Sequence, residues 1–291
     1  MMTVMGMVMR AIVMMRCSGM FDYDFMRHAF AAAAIVAVVA GLVGYFLVLR
    51  GQTFAGHALA HIGFTGATGA VLVGASPLAG LVVATVAGGV GMGFAGERLA
   101  QRDVAIGMVL SLALGLGLLF LHFFTAYATQ VTALLFGNVL AVDTNTLWVL
   151  LALGALSVGA LGVIARPLLF ASLQPELAEA KGVNLRLFAV LFLAIVALAT
   201  AECAQIVGVL LVFTLMVGPA AAAQQLTSRI GWGLLVSAGL ALAEAWGGIA
   251  LAYWTDWPSS FWITALSAAA YVAAMGGRWL ARCEAVPVST P

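Results

Sequence analysis

From Phe30 to Leu49 the chain reads FAAAAIVAVVAGLVGYFLVL, without a single charged side chain. As a helix, a run of about 20 apolar residues is long enough to cross a hydrocarbon core of about 30 Å. Comparable runs, punctuated by charge or turn residues, lie at about 28–49, 57–75, 78–96, 104–125, 146–165, 185–201, 204–225, 231–254 and 260–279. They predict an all-α polytopic membrane protein with about nine transmembrane helices, the count bounded by eight and ten. Composition says the same: 64% of the residues are hydrophobic and 8% charged, where a soluble domain carries about 25% charged. Nine spans in 291 residues leave no room for a separate soluble domain. The segment 129–142 is too short to cross comfortably and contains Gly137 and Asn138, so it reads as a re-entrant or surface helix.

Basic residues gather in alternate connections: Arg50; Arg98 and Arg102; Arg166, Lys181 and Arg186; Arg229; Arg278 and Arg282. The intervening connections near Ser76-Pro77, Asp143, Glu202 and Asp256 carry neither Lys nor Arg. By the positive-inside rule the first set faces the cytoplasm, which places the protein in the cell (inner) membrane with its N-terminus outside and its C-terminus inside. Residues 1–19 are Met-rich and carry Arg10 and Arg16 on the wrong side; they read as a non-native or disordered leader with Met20 as the true start, a signal peptide being the alternative. The transmembrane domain is then 20–283, followed by a disordered tail at 284–291.

Several function classes fall away. A net charge of +1 without a dense Lys/Arg cluster argues against nucleic acid and leaves lipid as the surrounding partner. Cys17, Cys203 and Cys283 lack CxxC spacing and suggest neither a disulfide framework nor a structural zinc site. No GxxxxGK[ST] is present, so ATP is not bound in the P-loop manner, and Ala58 follows His57 where a zinc hydrolase would need its glutamate. Glycine clusters such as Gly89, Gly91 and Gly93 point to close helix packing. No internal repeat stands out.

Chemistry concentrates in Gly56-His57-Ala58-Leu59-Ala60-His61, two imidazoles four residues apart at membrane depth, where ionisable groups are functional by default. At about 100° per residue His57, His61 and Thr68 share a face within about 40°, with Thr65 about 40° further round, while Gly63, Gly66 and Gly69 point the other way. One face can line a wet path and the other admit a neighbouring helix; a packed interface in which the imidazoles bond backbone or Thr hydroxyls is the structural alternative. Glu244 sits mid-span, where a bare carboxylate costs at least ~2.5 kcal/mol. It reads either as a metal or proton group facing the histidines or as a carboxyl hydrogen-bonded to a neighbouring helix. His122, near the outer end of its span, and Glu202, in an outer connection, either guide cations or are ordinary interfacial residues. Between Pro167 and Asn184, Pro175 can open a short helix, Glu176 and Glu179 oppose its positive end, Lys181 sits at its negative end and Gly182 can terminate it. On its own this is an amphipathic surface helix or plain connector. Pro219, within an apolar run, implies a broken or kinked helix.

Eight blocks in order carry a resemblance: Gly44 to Arg50, Gly56 to His61 with Gly66, Ile106-Gly107-Met108, Leu135 to Val142, Gln174 to Ala178 with Gly182-Val183, Val207 to Val212, Pro219 to Ala222, and Asp256 to Ser259. From about Phe25 to Leu280 the chain resembles the integral-membrane permeases of ABC importers for zinc, manganese and iron. The resemblance implies a homodimer, cytoplasmic ABC ATPase subunits below and an extracytoplasmic metal-binding protein above. It further implies no catalysis in this chain and no permanently bound cofactor, the divalent metal being cargo. That family's Gly-Asp-x-x-x-His motif supplies a metal-contacting pair; His61 matches its histidine and His57 stands at its aspartate. Imidazole suits Zn, Fe, Ni and Co, whereas manganese prefers more carboxylate oxygen, so zinc is the first expectation, manganese or iron next. The resemblance also makes Pro175, Glu176, Leu177, Ala178 and Gly182 the element that couples to the ATPase, makes Pro219 a hinge near the gate, and leaves Thr65 and Thr68 beside the path. Import of a metal chelate such as a siderophore or cobalamin, and an intramembrane metal enzyme built on His57, His61 and Glu244, are the competing expectations.

Overall fold

The computed structural model describes residues 23–94, 99–123, 135–137 and 139–284. The expected leader at 1–19, most of the expected re-entrant helix and the tail beyond Glu284 lie outside the described residues. Within them the chain forms ten helices and no strand: α1 (Asp24–Leu49), α2 (Thr53–Leu72), α3 (Pro77–Phe94), α4 (Leu99–His122), α5 (Thr144–Leu173), α6 (Pro175–Ala180), α7 (Leu185–Val207), α8 (Val209–Leu226), α9 (Ile230–Thr255) and α10 (Ser259–Glu284). A short 3-10 turn, Val139–Ala141, precedes α5. The nine long helices correspond one for one to the nine apolar runs.

Eight of the nine are long and apolar enough to cross a membrane. The exception is α2, whose two histidines, three threonines and four glycines dilute it below that standard. Packing explains how such a helix is kept. α2 lies among α3, α4, α7 and α8, so its polar groups meet protein and not lipid, the condition under which a polar segment is tolerated at membrane depth. Its glycine side is the seam with α3. A Cβ at Gly63 would stand 2.7 Å from Thr85 Cγ2, and one at Gly66 would collide with Ala84 and the Gly80 carbonyl. The two helices run antiparallel with their backbones in direct contact, as small-residue seams allow. The α3 glycines behave alike: a Cβ on Gly89 or Gly93 would lie 2.6 Å from Leu193 O or Val190 Cα of α7, while Gly91 faces open space.

Three expectations about helix ends need correction. Glu202 is not in an outer connection: α7 runs on to Val207, and Glu202 is wholly buried inside it. The break comes at Gly208 (φ +82°), beside Gly137 (φ +79°). A Cβ on either would strike the backbone of the other's segment, so only glycine serves at this backbone-to-backbone crossing. Secondly, of the broken or kinked helix expected at Pro219 the break is absent: Pro219 sits buried within α8, which runs uninterrupted through it. Finally, α5 continues through Pro167 to Leu173, so the connector between α5 and α7 begins only at Gln174.

Basic side chains collect at one end of the bundle. Arg50 donates to Ser172 Oγ at 2.7 Å, Arg186 to Phe94 O at 3.0 Å, and Arg278 to Gln225 Oε1. Lys181 lies over the Phe170 ring at 5.8 Å. Arg27 alone among the described basic side chains sits at the start of α1, the opposite end, 3.8 Å from Asp24.

Candidate functional site

His57 and His61 lie on successive turns of α2 because a spacing of four returns a side chain to the same face. Their rings meet edge to face with centroids 4.8 Å apart. His57 is half-buried, and His61 is only 8% exposed. Phe213 of α8 closes on His57 at 5.5 Å, again edge to face. Sequence reasoning missed Phe213, and nothing distinguishes it from other aromatics in an apolar run. The Nδ1 atoms of both histidines are enclosed and without a hydrogen-bond partner. The packed-interface alternative, with imidazoles tied to backbone or Thr hydroxyls, therefore does not describe those two atoms.

The threonines are engaged otherwise. The Thr65 hydroxyl is shared between His61 O at 3.1 Å and the Ala113 carbonyl of α4. Thr68, 2% exposed, gives its proton to Phe64 O or Thr65 O at 3.0 Å. Both donors are used on backbone, and only oxygen lone pairs remain for anything passing.

Glu244 is brought elsewhere. It is buried in α9, which packs on α1, α8 and α10. Its neighbour is Ser267 of α10, whose hydroxyl is 3.4 Å from Thr214 O. Both Glu244 oxygens lack a partner at hydrogen-bond distance. Among the described residues no three His, Cys, Asp or Glu side chains could share a metal ion, so Glu244 does not join the histidine pair within one copy of the chain. Ser267 and Thr214 border a cleft of about 360 Å³ between α8 and α10 that also touches Phe213. His122 stands exposed at the end of α4 against Phe123, away from the pair.

At the basic end, α6 has the ends its residues predict. Pro175 occupies the first turn, Glu176 follows it, Lys181 caps the other end, and Gly182 takes φ +81°. α6 packs on α5 and α7. Within α6, Ala178 is 0% exposed, whereas Leu177 is 47% exposed. In a helix of one and a half turns, neighbouring residues point about 100° apart, so only one of the two can face away from the bundle.

A bundle of apolar helices, with a sequestered histidine pair on the one long helix that falls short of a spanning stretch, defines a polytopic membrane protein. The chain belongs to the ABC 3 transport family, whose model it matches over residues 22–277; it is a multi-pass permease subunit of an ABC transporter. It is 30% identical over 231 residues to the "Manganese transport system membrane protein MntC" of Halalkalibacterium halodurans, covering 79% of each chain. To the protein of the same name from Listeria innocua it is 28% identical, covering 82% of this chain and 86% of that one. Among solved structures it shares its fold with "PsaBC from Streptococcus pneumoniae in complex with Fab", with a TM-score of 0.80, 24% identity, and coverage of 89% of this chain and 94% of that one. The structure "An inward-facing conformation of a putative metal-chelate type ABC transporter" matches less closely, with a TM-score of 0.67, 16% identity, and coverage of 87% of this chain and 86% of that one.

Proposed function

We propose that this chain is the membrane-embedded subunit of an importer for a divalent first-row transition metal, that His57 and His61 contact the cargo in transit, and that zinc is preferred to manganese. The observation that carries the proposal is the 4.8 Å ring separation with both Nδ1 atoms unpartnered. Two histidines on successive turns of one face can supply two of the four nitrogen positions that zinc accepts. Two nitrogens do not complete a shell. The remaining positions fall to water or to the same pair in a second copy, and an incomplete shell lets the ion leave.

The basic end is taken as cytoplasmic by the positive-inside rule. A partner ATPase docks there against Leu177 and the glutamates of α6, and its closure is passed to α5 and α7, on which α6 packs. An extracytoplasmic metal-binding protein delivers cargo to the opposite end. Manganese is the second reading, favoured by the relatives whose names carry that metal. Zinc rests on His57, which offers nitrogen where the resembling permeases offer a carboxylate.

Radiometal uptake in vesicles carrying the complete transporter tests this. His61→Ala should abolish uptake while leaving assembly and basal ATP hydrolysis nearly intact; unimpaired uptake at limiting metal refutes the role of His61. His57→Asp should retain transport and move the preference toward manganese in competition between the two metals. If the wild type already prefers manganese, zinc falls and the importer stands; if the variant keeps the wild-type preference, His57 is no ligand.

A further inference from the structure

The backbone of a helix places an imidazole only in part. Spacing fixes the face that His57 takes, but rotation about its Cβ–Cγ bond is soft and broad. A metal ion accepts a nitrogen lone pair in the plane of the ring, so that rotation decides where the nitrogen points. The His57 ring touches two others. His61 meets it at 4.8 Å with the planes 85° apart, and Phe213 at 5.5 Å with the planes 79° apart. Edge-to-face contact between aromatic rings is directional, so turning the imidazole disturbs both. His61 belongs to α2 itself, whereas Phe213 reaches the pair from α8.

Phe213 is not a filler of the core. Leu211, Val212, Leu215 and Met216 around it on α8 are buried, but Phe213 is 38% exposed and borders the cleft of about 360 Å³ between α8 and α10. Its position is nonetheless held. A Cβ on Gly44 would collide with the Met216 carbonyl, three residues beyond Phe213, so α8 lies backbone to backbone on α1. α8 also packs on α2. A ring carried by one anchored helix thus bears on a candidate ligand ring of another.

We infer that Phe213 is a positioning residue for metal transfer: it holds the His57 ring in the orientation that presents nitrogen to the cargo, and does not itself touch the ion. This rests on the reading of His57 as a cargo contact and adds what prepares it. An imidazole already held loses less freedom when the ion arrives, so the effect falls on affinity and leaves the maximal rate alone. Leucine in place of Phe213 keeps an apolar side chain without a ring. Freeing one side chain in this way weakens metal binding roughly three- to tenfold.

The test is uptake of radioactive zinc by vesicles carrying the complete transporter, over a range of zinc concentrations, with the Tm of each purified permease measured alongside. Phe213→Leu should raise KM roughly three- to tenfold at an unchanged maximal rate and Tm, and Phe213→Tyr, which keeps the ring, should restore the wild-type KM. In the His57→Asp background Phe213→Leu should have no effect on KM, because no imidazole is left to orient. An unchanged KM in Phe213→Leu, or a rise that persists in the His57→Asp background, overturns the positioning role. Should Phe213→Leu lower Tm, Phe213→Ile takes its place under the same criteria. Should His57→Asp not transport, NMR of the permease with labelled histidine decides. The chain has four histidines, and the His57 signal is the one that His57→Asp removes. That signal should move in Phe213→Leu and return in Phe213→Tyr, and a signal indifferent to Phe213 overturns the inference. Failure of the underlying reading looks different: uptake unimpaired in His61→Ala removes the cargo site itself, whereas an inactive His61→Ala beside a Phe213→Leu of wild-type KM removes only the role of Phe213.

Discussion

Leu177 and Ala178 are neighbours on a six-residue helix, yet aspartate at the two positions should do opposite things. Ala178 is 0% exposed, enclosed where α6 packs on α5 and α7. A carboxylate there is buried without a partner, which costs about 3–5 kcal/mol, enough to cancel much of the stability of a typical fold. Leu177 is 47% exposed. Full burial of a leucine is worth about 1.5–3 kcal/mol, so the half-buried side chain gives up about 1 kcal/mol to the permease itself. Leu177→Asp should therefore insert, keep a Tm near that of the wild type, and still fail in transport, because the charge sits on the surface proposed to meet the ATPase. Ala178→Asp should lose stability before coupling can be asked about. Three measurements separate the cases: Tm of the purified permease, copurification of the ATPase, and metal uptake in vesicles. Normal copurification and uptake with Leu177→Asp would make α6 a plain connector and refute the coupling role. An undiminished Tm with Ala178→Asp would refute the placement of α6 against α5 and α7.

Beyond the histidine variants above, Gly66→Ala should push α2 and α3 apart, since its methyl would occupy the space of Ala84 Cβ and the Gly80 carbonyl. A loss of roughly 1–3 kcal/mol is expected, read as a lower Tm with reduced uptake, and an unchanged Tm would refute the seam. Asp143, outside the membrane-spanning segment, accepts from the Thr146 amide at 3.0 Å and caps α5. Its bonds to Thr146 hold its carboxyl below the usual 3.8. A depressed folded value means that the cap's contribution is complete above the unfolded pKa and is lost as pH falls through the folded one. Amide exchange in the first turn of α5 should therefore be protected at neutral pH and accelerate only below about pH 4. Acceleration near neutrality would show that the cap is not the cause.

The class of protein and its nine long helices were legible in the chain because hydropathy and the length of an apolar run are local quantities set by the thickness of a bilayer. The histidine pair was legible because a spacing of four fixes a shared face whatever surrounds it. The ends of α6 were legible because Pro175 and Gly182 act on their own backbone. Glu202 was misread for the same reason that the spans were found: a lone carboxylate in an apolar run resembles an interruption, and only the space opposite Gly154 on another helix permits it inside. Glu244 shares a chain with the histidines but not a neighbourhood, because α9 packs on α1, α8 and α10. Ala178 faces inward because of where α5 and α7 stand, which no pattern in six residues encodes. Local chemistry is written residue by residue, whereas burial and partnership depend on side chains far along the chain, and those only the packing of the helices decides.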